Sequence, residues 1–295
     1  MGQPKKKKQF KLTQNNYYSS ERPHISNSQV SDYLKSKEYF WRKNVLKEIP
    51  FGDTPNMRIG SMVDDMLSGR PMRFQVKVLK RDDPERYEEQ KNINPELLIT
   101  EREWNEAIAH AKSLMSQPCY KWYAETGAKF QYVLEAKLNE VPVCGMADVI
   151  TETRSVVFID DFKVVSKLKI ATLDKWYFNC LEMGYFRQLA AYKWMWQQMH
   201  PNDIRPIICH HLISAKECEG LYKVLPIVLP EELLVAPLEE FKLGVEGIAN
   251  LLDSKDWQDP PVKWSDAKIL KNPMKAPEEN DVTNEEEFYM EKDES

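Results

Sequence analysis

Hydrophobic and polar positions along this chain follow two periods, and the switch between them marks where its character changes. In the first third the period is helical. Val30, Tyr33, Leu34 and Trp41 fall on one face of a helix whose start is signalled by Ser26 or Ser28, both good N-cap types. Met62, Val63, Met66 and Leu67 mark a short helix after Gly60, and Trp104, Ile108, Ala111 and Leu114 predict another from Thr100 or Glu101 to about Met115. Between them the charged stretch 80–94 has no period and reads as a loop.

The period then becomes that of strands. Residues 130–138, 143–150 and 156–164 form three apolar runs, with Asn139-Glu140 and Thr153-Arg154 placed to turn between them as a meander. One long helix is expected over 173–199, bounded by Pro201, followed by strands at 206–214 and 221–228 and a helix over 238–252. The order α-β-β-β-α-β, with helical additions in front, predicts an α/β domain: a mixed sheet flanked by helices.

At 295 residues the chain can form one large domain or two small ones. Its formal charge of −5 is unevenly spread, with a basic run from Lys5 to Lys8 and an acidic end rich in Glu, Asp, Pro and Asn. We therefore expect a flexible basic arm over residues 1–22, a folded domain over 23–270, and an acidic, disordered tail over 271–295. Because the negative excess sits in the tail, net charge does not argue against a DNA partner. No apolar run approaches the roughly 20 residues that span a bilayer, and no secretory segment is seen. Five scattered cysteines without a CxxC pair read as reduced thiols of a cytoplasmic protein, against a zinc ribbon or a disulfide framework.

The chemistry concentrates in VPVCGMADVITETRSVVFIDDFKVV, residues 141–165. Acids and a lysine stand inside apolar strands, where an unpaired charge costs several kcal/mol. Asp161 and Lys163 lie two positions apart, so they share a strand face, while Phe162 and Asp160 point the other way. Asp148, beyond Gly145 on the neighbouring strand, can meet that face across the hairpin. Two converging carboxylates repel each other and suit a divalent cation. The bland alternative is a structural Asp161–Lys163 ion pair.

The pattern G-x-x-D, a strand–turn–strand spacing, then D-D-x-K resembles the PD-(D/E)xK nuclease superfamily, in its RecB-like and RecE-like exonuclease branch. The resemblance spans residues 25–250. It implies a restriction-endonuclease-like core in which Asp148, Asp161 and the Phe162 carbonyl bind Mg²⁺ or Mn²⁺ and Lys163 acts in catalysis. Gln188 and Tyr192 supply the branch's Q-x-x-x-Y element on the following helix. Glu135 corresponds to an acid ahead of the metal aspartate and is expected to help bind the ion. Gly60-Ser61-Met62-Val63-Asp64 has the frame of a G-[ST]-x-x-H element whose histidine touches the metal, with Asp64 in the histidine's place and expected as an oxygen ligand. The resemblance further implies 5′ to 3′ digestion of linear double-stranded DNA in phage-type recombination, in a bacterial host's cytoplasm. It also implies a single-strand annealing recombinase as partner and a ring-shaped homo-oligomer. Rival readings are a single-strand nuclease, an endonuclease, or a catalytically silent DNA-binding module of the same fold.

Elsewhere the signals are weaker. His210 and His211 point to opposite faces of a strand, which suits neither a zinc site nor a dyad. Trp194 and Trp196, with Met195 and Met199, read as core packing rather than a base-stacking platform. No Walker motif or GxGxxG element implies a nucleotide cofactor, and the cysteines do not form the iron–sulfur arrangement of some relatives.

Overall fold

Six strands of the computed structural model assemble into a mixed main sheet with helices on both faces. It describes residues 10–19, 21–50, 54–167 and 172–258. The chain divides into two units, residues 1–258 and 259–295, and every described residue belongs to the first. The basic run at residues 5–8 and the acidic tail therefore lie outside the described residues.

In chain order, β1 (Ile25–Ser26) leads into α1 (Asn27–Lys35), α2 (Lys37–Phe40), α3 (Pro55–Leu67), β2 (Gln75–Val76), α4 (Pro84–Gln90) and β3 (Leu98–Ile99). Then come α5 (Glu101–Met115), α6 (Pro118–Thr126), β4 (Lys129–Leu138), β5 (Val141–Glu152), β6 (Val157–Val165), α7 (Leu173–Met183), α8 (Tyr185–Met199), β7 (Ile207–Cys218), β8 (Leu221–Leu229) and α9 (Glu232–Ser254). The hairpin between β4 and β5 turns through Asn139 and Glu140, both at positive φ. The main sheet runs β1-β5-β6-β7-β8, with β4 paired to β5, and β2 and β3 form a separate pair. The β6–β7 pair is parallel, whereas β4–β5, β5–β6 and β7–β8 are antiparallel.

Strand alternation sorts the core into two layers. On one face Val157, Ile159 and Ile213 pack with Trp176 of α7, Leu189 and Trp196 of α8, and Phe241 and Ile248 of α9. On the other, Val149, Phe162 and Leu212 pack with Met62 and Val63 of α3, Ala111 and Leu114 of α5, and Tyr123 of α6.

One arrangement positions the site. β6 pairs with β5 only over 149–152, while β1 pairs with the same strand over 143–144. Between those pairings β5 and β6 splay apart, and Asp161 to Val165 keep only β7 as ladder partner.

The structure departs from the sequence expectations in five places. The helix expected to carry Val30 through Trp41 breaks at Ser36, whose extended backbone ends α1 and whose hydroxyl caps α2. The helix expected over 173–199 is two helices, because Gly184 adopts φ +68°, a left-handed conformation that caps α7 and cannot continue it. Residues 84–90 of the expected loop are helical, with Asp83 accepting from the Arg86 amide as N-cap and Pro84 in the first turn. Helix α6 was not anticipated. The basic arm does not extend to residue 22 as a flexible segment: Leu12 and Tyr17 are buried against Cys144 and Met146 of β5, and Gln14 donates to the carbonyls of Phe130 and Gln131.

Candidate active site

Asp148, Asp161 and Lys163 meet where β5 and β6 separate. The Asp148 carboxylate takes the place of a ladder partner: Oδ2 accepts from the Phe162 amide at 2.8 Å and Oδ1 from Gln131 Nε2 at 3.1 Å. Phe162, expected to offer its carbonyl, thus gives its amide to Asp148, while its ring packs beside Tyr123 in the opposite layer. Lys163 Nζ lies 2.5 Å from Asp161 Oδ2, 3.3 Å from Gln188 Oε1 and 4.4 Å from the centre of the Tyr185 ring. Gln188 in turn donates to the Tyr192 hydroxyl at 2.9 Å, so the Q-x-x-x-Y pair of α8 reaches the site through the lysine. Gly145 makes this approach feasible, because a Cβ there would strike the Tyr192 ring and the Met195 methyl group.

The electrostatics are those of crowded anions. Burial and then the charge of Asp161 raise the Asp148 carboxyl well above its ordinary range, against Lys163 and the Phe162 amide, which lower it. Asp64, half-buried on α3, is raised by burial and then by Asp148, with Asp161 adding and Lys163 and Arg70 opposing. Asp64 therefore feels the same cluster. For Lys163, burial disfavours the charge, but Asp161, Tyr185 and Asp148 outweigh it and hold the ammonium above its usual value. Asp161 is 1 % exposed, and its Oδ1 has no hydrogen-bond partner.

These features fit a hard divalent cation. A cation would fill the unmet capacity of Asp161 Oδ1 and relieve the repulsion between Asp148 and Asp161. No three His, Cys, Asp or Glu side chains among the described residues converge closely enough to hold a metal by themselves. The fit is thus to an open site in which two carboxylates leave coordination positions for water and substrate, the arrangement Mg²⁺ favours.

Glu135 is not brought to this cluster. It lies further along β4, opposite Cys144, and its carboxylate meets His24 Nε2 at 2.9 Å. Asp65, beside Asp64, is buried and held by Arg70 at 2.8 Å and Arg73 at 2.9 Å.

Sequence reasoning missed several contributors. Gln131, at φ +49°, aims its amide at Asp148, and Tyr185 supplies a ring under Lys163. Each histidine of β7 stands beside an aspartate of β6, one such pairing on each face, and only the His210 pair is hydrogen bonded. In the parallel register Asp160 stands beside His210 and Asp161 beside His211. His210 Nδ1 lies 2.7 Å from Asp160 Oδ1, and Tyr123 donates to Asp160 Oδ2 at 2.7 Å. His211 is fully buried, with Nε2 3.7 Å from Asp161 Oδ2. Burial lowers its pKa to about 4, so the ring is neutral near pH 7. The signal for these pairings is the tandem Asp-Asp and His-His, legible only once the strand register is known.

No helix among the described residues is long and apolar enough to cross a membrane. No family model and no curated protein matches the chain. Among solved structures, SSO0001 aligns over 70 % of this chain and 93 % of its own at 12 % identity, with a TM-score of 0.28, too low to bear on the fold. A candidate exonuclease from Eubacterium rectale aligns over 90 % of this chain and 97 % of its own, at 18 % identity and a TM-score of 0.61. The two chains share a mixed α/β fold.

Proposed function

We propose that this protein is a divalent-metal-dependent nuclease of the PD-(D/E)xK type, acting on linear double-stranded DNA. The observation that carries the reading is the meeting of Asp148, Asp161 and Lys163 at the splay of β5 and β6, with one Asp161 oxygen buried and unpartnered. The fold shared with the Eubacterium rectale candidate exonuclease supports it.

Asp148 and Asp161 would hold Mg²⁺ or Mn²⁺, with the Phe162 carbonyl as a further oxygen donor and Asp64 acting on the ion through its charge or a bridging water rather than as a third direct carboxylate. Such an ion, when bound, would supply Lewis acidity and lower the pKa of the water that attacks the phosphodiester. The chain's own part is positioning and charge. Lys163, fixed by Asp161 and Gln188, presents N–H groups to the negative charge that develops on the phosphoryl oxygens. Gln188 and Tyr192 hold that ammonium in place, and Asp148, tied to the Phe162 amide and Gln131, keeps one orientation. Exonucleolytic action, 5′ to 3′ polarity, a role in phage-type recombination with an annealing partner, and a ring-shaped oligomer form the finer reading, which rests on the motif resemblance.

The test is digestion of linear duplex DNA labelled at the 5′ or the 3′ end, with Mg²⁺, Mn²⁺ or chelator, beside a closed circular control and Lys163→Ala. Metal-dependent loss of linear but not circular DNA, absent in the variant, is the expected result, and the order of label release gives the polarity. Cleavage of circles would replace the exonuclease with an endonuclease. Absence of cleavage with either metal would leave a DNA-binding module of this fold.

A further inference from the structure

We infer that Trp176 and His211 form a buried relay that orients the Asp161 carboxylate, with His211 as a positioning residue for metal binding. The inference rests on the nuclease reading above.

The argument starts from hydrogen-bond direction. An indole N–H can only donate, and Trp176 Nε1 lies 3.2 Å from His211 Nδ1. Nδ1 must therefore accept, which places the single proton of a neutral imidazole on Nε2. That nitrogen faces Asp161 Oδ2 across 3.7 Å and has no other partner. The distance is longer than a formed hydrogen bond. The pair is nevertheless enclosed, since His211 and Asp161 are 0 % and 1 % exposed, so no bulk water competes for either atom.

The surroundings leave the ring little freedom. The Trp176 and Tyr185 rings both meet His211 edge-on, at 5.6 Å and 6.1 Å between centres, and Cys180 Sγ is 3.8 Å from Nδ1. Lys163 approaches the same oxygen, Oδ2, from another side. With lysine and imidazole both directed at Oδ2, Oδ1 is the oxygen left to bind a cation. Groups that fix ligand orientation in this way typically change metal affinity by about 10–100-fold when removed.

Two measurements test this. Nitrogen NMR of the metal-free protein should report the Nε2–H tautomer at His211, and Trp176→Phe should loosen that preference. Mn²⁺ titration without DNA should show half-saturation shifted upward by about 10–100-fold in His211→Leu, with Trp176→Phe intermediate. His211→Gln, which keeps a donor near the Nε2 position, should recover most of the affinity. Circular dichroism and thermal melts establish that each variant is folded, and the Gln variant carries the test if Leu is not. An Nδ1–H tautomer, or wild-type Mn²⁺ affinity in folded His211→Leu or, failing that, a loss in folded His211→Gln as deep as in Asp161→Ala, would overturn the relay. Asp161→Ala separates the two readings. If it too binds Mn²⁺ like wild type, the metal reading falls and the relay with it; if it alone loses binding, only the relay falls.

Discussion

Strand β6 places two adjacent aspartates on opposite faces of one sheet, each beside a histidine of β7, and the two faces differ in what they leave unfinished. On the α6 side, Asp160 has both oxygens satisfied, by His210 and by the Tyr123 hydroxyl. On the α8 side, Asp161 has an ion pair on one oxygen and nothing on the other, with Asp148 and Asp64 close enough to be raised by its charge. Residue type, burial and strand position are nearly the same, so none of them tells Asp161 from Asp160. What distinguishes Asp161 is unmet coordination. A closed network stabilises the fold, whereas an open one with like charges beside it is suited to bind something.

The largest effects should come from the open face. Lys163→Ala and Asp161→Asn should each lower cleavage by at least about a hundredfold in protein that thermal melts show to be folded at the assay temperature, with Lys163→Ala the less stable of the two because it leaves Asp161 and Asp148 without their cation. An equal loss of folding in both would make Asp161–Lys163 a structural pair like its neighbour across the sheet. The closed face should answer in the opposite way. Asp160→Ala leaves the buried Tyr123 hydroxyl unpaired and should cost about 1–3 kcal/mol in urea denaturation, with the folded protein still cleaving DNA at close to the normal rate. A dead but stable Asp160→Ala would erase the contrast.

Packing behind the open face gives a prediction of similar or smaller size. Gly145→Ala forces a methyl group against Tyr192 and Met195 and should destabilise by about 1–3 kcal/mol. Because Tyr192 reaches Lys163 through Gln188, kcat should fall as well, which a mutation confined to the distant core would not produce.

A third histidine supplies the smallest effect and a control. His110 is buried between α5 and β7, with Nδ1 2.8 Å from the Ser214 hydroxyl. Burial, aided by Lys216, lowers its pKa from 6.5 to about 4. The folded state therefore binds its proton less readily than the unfolded chain does. Its contribution to stability is complete above pH 6.5 and is lost as pH falls through about 4, on the order of 1–2 kcal/mol by pH 5. Denaturant midpoints for wild type and His110→Asn between pH 7 and pH 5 check this, and the variant should show the shallower decline.

Much of this site was legible in the chain because its main parts obey short-range rules. Two-residue alternation put Asp161 and Lys163 on one face and Asp160 on the other, and four-residue helical spacing put Gln188 and Tyr192 together. Capping chemistry for the missed α4 was present in Asp83-Pro84, and Pro118 marked the start of α6, but the charged surroundings and the short length masked the helical period. Gly184 was overlooked as a helix stop because the apolar spacing continues on both sides of it. Glu135 shows a different failure: strand period places a residue on a face but does not say how far along the sheet it lies. Trp176, Gln131 and His211 reach the site through contacts between elements distant in sequence, and no local pattern encodes those. The basic run and the acidic tail fall outside the described residues.

The tandem pairs of β6 and β7 also bear on how the chain finds its fold. These strands are parallel and joined through two helices, a connection whose closure is slow and whose register is not set by a tight turn. A slip of two residues keeps every side chain on its proper face, so hydrophobic alternation alone does not reject it. Such a slip would set Asp160 opposite Ile208 or Leu212, and Asp161 opposite Cys209 or Ile213, costing Asp160 its hydrogen bond to His210 and setting an apolar side chain beside each buried carboxylate in place of its histidine. The Asp-Asp and His-His pairs therefore work as a vernier, penalising misaligned strands during folding before either face has any chemistry to perform.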